Sequence, residues 1–137
     1  MSLQPTDLIV LYLATLIIFL GIDFVWLRLV VLDIFEARIG DMMRDQPKIA
    51  VAGGFYAFYV MGILFFCSAG IGADTSLWTV FGRGVVLGLM AYGTYEFTSM
   101  SVMKNWDWTM VSMDTAWGGF LTGISAVGGL VVARWIL

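Results

Sequence analysis

Two carboxylates interrupt long apolar runs: Asp23 in GIDFVWL and Glu96 in YGTYEFTSM. A charged side chain at the middle of a membrane helix costs about 2.5–3.5 kcal/mol, so such acids turn inward and find partners. Two chemistries suit them. One is functional, a proton relay or an anchor for the polar end of a ligand. The other is structural, with each acid held by tyrosine hydroxyls or by Arg28. Their neighbours are not random. Asp23, Trp26 and Leu27 share a helix face by i, i+3, i+4 spacing, and so do Tyr92, Tyr95, Glu96 and Ser99. Phe55, Phe58, Tyr59 and Gly62 form a third stripe beside Tyr56, and Asp114, Trp117 and Gly118 a fourth.

The elements that must position these stripes follow from composition. The 137 residues are 61% hydrophobic and 12% charged. Soluble domains are about 45–50% apolar and about 25% charged, so the excess belongs in lipid. At about 20 apolar residues per span, the length accommodates an all-α, four-helix transmembrane bundle, read as a single domain over 1–137. The helices are expected at about 7–33, 48–72, 76–103 and 114–137. The first apolar run is too long for a signal-peptide core and lacks a preceding Lys or Arg, so it is read as a retained helix. The stretch from Ile34 to Met43 suits either an amphipathic interfacial helix or a solvated loop. GIGADTS reads as a tight turn, and Trp106 and Trp108 are expected at interfacial depth.

Arg28, Arg38, Arg44, Lys48 and Lys104 fall at one side of the alternating helices, against Arg83 and Arg134 at the other. The positive-inside rule then places connectors 1 and 3 in the cytoplasm and both termini on the opposite, periplasmic side. Counting at 1.5 Å per residue from the cytoplasmic ends puts Asp23, Tyr59 and Tyr92 about 15 Å deep, with Tyr56 and Glu96 at about 10–12 Å. Polar side chains from every helix therefore collect in one half of the membrane. Gly84-x-x-x-Gly88 and Gly119-x-x-x-Gly123 permit close helix contact, within one subunit or between two.

Several function classes drop out. The chain has no histidine, which removes the usual haem and metal ligand and the usual near-neutral acid-base group; histidine-ligated haem or metal is excluded, no metal site is expected, and the cofactor is left open. Single Cys67 makes no internal disulfide. No basic stripe suggests nucleic acid, and no phosphate loop or zinc motif occurs.

Four stretches, DFVWL (23–27), FYAFYVMG (55–62), YGTYEFTS (92–99) and DTAWG (114–118), in this order and spread over most of the chain, together resemble the DUF2177 family of small bacterial membrane proteins. In that family the third motif more often reads Tyr-Asp-Leu-Thr-Asn. Here Glu96 and Ser99 stand at its acid and amide positions, which keeps the carboxylate, lengthens it and loses the amide. The resemblance implies a multi-pass protein of the bacterial inner membrane, and it implies no particular activity. The leading expectation is non-enzymatic: binding or moving a small amphipathic or lipid-like molecule in a pocket open to the cytoplasmic half. Asp23, Trp26, Tyr56, Tyr59, Tyr92, Tyr95, Glu96, Asp114 and Trp117 are the candidate ligand-binding residues. An enzyme or enzyme subunit acting on membrane lipid through the acid-tyrosine set is the second reading. An accessory subunit of a larger membrane complex is the third. Besides the bilayer and such a ligand, the expected partners are a second copy of the chain or a membrane-complex subunit.

Overall fold

The computed structural model describes residues 5–69 and 76–137. GIGADTS and the end of the second expected helix fall wholly or partly outside the described residues. All regular structure among the described residues is helical. Helix α1 (Pro5–Trp26) continues through a π turn (Leu27–Val31) into α2 (Leu32–Ile39) and a 3-10 turn (Gly40–Met42). Helix α3 (Ile49–Ile63) also runs into a π turn (Leu64–Ser68). Helices α4 (Leu77–Val102) and α5 (Trp108–Ile136) complete the chain. Among the described residues, three helical stretches are long and apolar enough to cross a membrane: Pro5–Met42, Ile49–Ser68 and Trp108–Ile136. Helix α4, at 26 residues, spans about 39 Å and is not among the three.

Two boundaries depart from the sequence reading. The first helix does not stop at Asp33 but continues to Met42. Here the π turn is the device: its Leu32 N–H bonds back to Leu27 O, and the extra residue rotates everything after it. Val31 then faces inward, and Phe35 and Ile39 come under the far end of α4 and α5. The last helix begins at Trp108 rather than near 114, because the Asp107 carboxylate caps it by accepting the Met110 N–H at 3.0 Å. Ser76 caps α4 in the same way through the Trp78 N–H.

Helix α5 is the centre of the molecule, with 56% of its apolar window buried against 22% for Pro5–Met42 and 17% for Ile49–Ser68. Helix α4 reaches it through glycine. A Cβ on Gly84 would lie 2.6 Å from Gly123 Cα, and one on Gly88 would lie 2.6 Å from the Gly118 carbonyl carbon. The two backbones therefore touch, antiparallel, with Tyr92 laid over Gly118 and Phe81 over Gly123. Both Gly-x-x-x-Gly pairs are spent inside this one subunit. On the other side, α1 docks through Thr15 on Gly129 and Ile18 on Gly128. Helix α3 is the outermost, joined through Tyr59 and its π turn to the main core of Phe19, Val60, Ile63 and Leu121. A second, smaller core of Trp106, Met110 and Val111 closes the α4–α5 end, with Phe35, Ile39, Met100 and Met103 around it.

This register makes a prediction. Gly88→Val must push α4 off α5, and overpacking of this kind costs about 1–3 kcal/mol. Gly53 faces open space, so Gly53→Ala is expected to be neutral or stabilising by about 0.5–1 kcal/mol. Thermal unfolding in detergent, followed by circular dichroism, compares the two.

Candidate functional site

Asp23 sits on the inner face of α1, only 4% exposed. Its Oδ1 accepts a hydrogen bond from Trp117 Nε1 of α5 at 3.2 Å, and the Tyr56 hydroxyl of α3 approaches the same carboxylate. Trp26, one turn further along α1, stacks flat on Trp117, with ring centroids 4.1 Å apart and planes 6° from parallel. Trp26 Nε1 is buried with no hydrogen-bond partner. The stacked indoles line an open groove of about 340 Å³ between α1 and α5, walled by Gly21, Ile22, Val25, Leu29 and Val30. Its lining is apolar, and Asp23, bonded to Trp117 Nε1, is buried on the inner face of α1.

Glu96 makes a second node. Its side chain is completely buried, and Oε1 accepts from Trp106 Nε1 at 2.9 Å. Trp106 is buried against the protein. The cause is local: Asn105 adopts a left-handed backbone with φ 67°, a conformation that Asn tolerates better than most residues, and it turns the next side chain inward. There Phe35 and Tyr95 meet the Trp106 ring edge-on at 5.4 and 5.8 Å. The bottom of this node is tied by an ion pair between Arg38 Nε of α2 and Asp107 Oδ2, and Arg38 Nη1 also donates to the Ile34 carbonyl at 2.9 Å. The Arg38 hydrogen bond holds the Asp107 carboxyl below the usual carboxylate range, with the Met110 N–H adding to the effect.

Asp114 relates the two nodes. Its carboxyl lies within hydrogen-bonding reach of Glu96 and within charge range of Asp23. Among the described residues, no three or more acidic or thiol side chains converge on a metal-sized point. The tyrosines divide. Tyr56 serves Asp23, and Tyr95 rests on Trp106. The Tyr59 hydroxyl pairs with Thr122 Oγ1 at 2.9 Å, and Tyr92 packs over Gly118 with its ring 6.3 Å from Tyr59. The structure thus gives Asp23 and Glu96 each an indole N–H donor, joined at Asp23 by the Tyr56 hydroxyl. The sequence points to tyrosines and Arg28 as partners; it does not pair Trp106 with Glu96, Thr122 with Tyr59 or Arg38 with Asp107. The one signal available was Asn105-Trp106-Asp107, a left-handed turn residue and a helix cap flanking a tryptophan.

A family model described as "Predicted membrane protein (DUF2177)" matches residues 8–131. No curated protein and no solved structure matches.

Two outcomes follow from these geometries. Trp106→Phe leaves the buried Glu96 carboxylate without its donor, which costs about 1–3 kcal/mol or more. Trp106→Phe combined with Glu96→Leu should recover much of that loss, as a double-mutant cycle by thermal unfolding would show. Because the folded Asp107 carboxyl titrates below its ordinary 3.8, the Arg38 tie is fully present above that pH and is lost as pH falls through the lowered value. Hydrogen exchange across 32–42 should therefore stay flat at mildly acidic pH and quicken only below about 3.8.

Proposed function

The chain belongs to the DUF2177 family of predicted membrane proteins, and from that premise we propose that it binds an amphipathic, lipid-like molecule at the α1–α5 groove. In this reading α4 is a fourth span beside the three apolar ones, both termini face the periplasm, and the basic residues of connectors 1 and 3 mark the cytoplasmic side. The observation that carries the proposal is the groove itself. An apolar trough of about 340 Å³ lies along a membrane-crossing helix, and its inner wall is a tryptophan stack whose second member is already bonded to a buried carboxylate. Ligand sites combine such apolar walls with a few placed polar groups. An acyl or prenyl chain fits the groove between Gly21 and Leu29. The polar end of the molecule would reach Asp23 and Tyr56 once Trp26 swings off Trp117.

Trp26, Trp117, Asp23 and Tyr56 are then the contact residues. Tyr59 and Tyr92 hold the helices that present them, and Asp114, Tyr95 and Glu96 form the polar ground behind. Gly21 supplies the test, since nothing lies within 4 Å of a Cβ placed there. Gly21→Phe should fill the trough without disturbing the core. Protein purified in mild detergent is analysed by native mass spectrometry for retained lipid-like molecules, with circular dichroism as the fold control. Wild type is expected to retain a defined species, Gly21→Phe to lose it by about tenfold or more, and Asp23→Asn to weaken it by about tenfold, a change of about 1.4 kcal/mol. Equal retention by wild type and a folded Gly21→Phe variant would sink the proposal.

A further inference from the structure

The Glu96 node asks for something the groove does not explain. Glu96 is fully buried, its Oε1 is bonded to Trp106, and its Oε2 has no donor. The group within reach of it is Asp114, a second carboxyl. Carboxylate oxygens are acceptors only and cannot satisfy one another. Two such groups meeting away from water need a donor between them, and the smallest donor is a proton.

We propose that Glu96 and Asp114 together hold one exchangeable proton, and that Trp106 with the Arg38–Asp107 ion pair forms the gate through which it exchanges.

The groups facing this proton come from every surrounding element. Helix α4 brings Tyr95 and Ser99 beside Glu96, and α1 brings the Asp23 charge toward Asp114. Helix α3 brings Tyr56, which also interacts with Asp114. None of these is a cation. Arg38 of α2 is held by Asp107, next in the chain to Trp106, and Phe35 of the same helix rests edge-on against the Trp106 ring. Water approaching from that side meets the second core of Phe35, Ile39, Met103 and Trp106. To admit it, α2 must swing away and the Arg38–Asp107 pair must open. When the gate opens, a water accepts the proton from the pair or delivers one to it; no bond other than O–H is made or broken. Proton sharing at Glu96 and lipid retention at Gly21 are separate claims with separate readouts.

Infrared spectroscopy of the full chain in lipid nanodiscs tests it. The chain contains two glutamates, Glu36 and Glu96, and Glu36 is exposed, so carbon-13 glutamate labelling isolates Glu96. At neutral pH the wild type is expected to show a protonated carboxyl C=O stretch that moves on glutamate or aspartate labelling and is absent from the Glu96→Gln, Asp114→Asn double variant. Its shift in heavy water should be slow, and about tenfold faster in Asp107→Asn, as expected when local opening limits exchange. Ionised carboxylate bands alone in the wild type overturn the shared proton, and so does a C=O band that vanishes when sodium chloride is added, which would make the pair a metal-cation site. An exchange rate unchanged in a folded Asp107→Asn overturns the gate.

Discussion

The molecule depends on one contact: the backbone-to-backbone approach of α4 and α5 through Gly84, Gly88, Gly118 and Gly123. In lipid there is no hydrophobic gain from joining two apolar helices, so van der Waals packing must hold them. Glycine allows that packing at its closest. The contact also sets height. With Gly88 against Gly118, the Tyr92 ring lies over the glycine, and the Asp114 side chain comes within reach of Glu96, about one turn away along the pair. The polar relations around Tyr92 and Asp114 inherit this register.

Helix α5 then serves as the common wall. Its glycines take α4 on one side and α1 on the other, through Thr15 on Gly129. Its larger side chains, Trp117 and Thr122, reach across to Asp23 and Tyr59. A carboxylate inside a bundle usually signals a nearby cation. Among the described residues the hydrogen-bond donors at Asp23 and Glu96 are neutral, indole N–H groups and, at Asp23, the Tyr56 hydroxyl, a shortage of positive charge. That shortage distinguishes the site from a simple structural ion pair such as Arg38–Asp107, which is half-open to solvent and ties α2 to the α5 cap.

The π turn after Trp26 couples these parts. Such turns insert one residue into a helix and recur at functional positions. Here the turn forms one end of the groove, through Leu29 and Val30. It also rotates α2 so that Phe35 and Ile39 close the second core under Glu96. One distortion therefore shapes the wall of one node and the lid of the other.

Much of this was legible in the sequence. Helical character, the apolar surplus and the i, i+3, i+4 stripes are local properties, fixed by residue type and spacing, and they named Asp23, Trp26, Glu96, Asp114 and Trp117 as residues of interest. The indole partner of Glu96 was not legible. Trp106 joins Glu96 only because Asn105 turns left-handed, and α2 covers it only because a π turn changes the helix face after Trp26. A glycine pair is equally able to face a second copy or its own neighbour, and only the tertiary structure spends Gly84-x-x-x-Gly88 within the chain. Sequence determines which side chains must leave lipid, because that cost belongs to each residue alone; the fold decides which of them meet, because helix rotation and height are set by contacts between elements far apart in the chain.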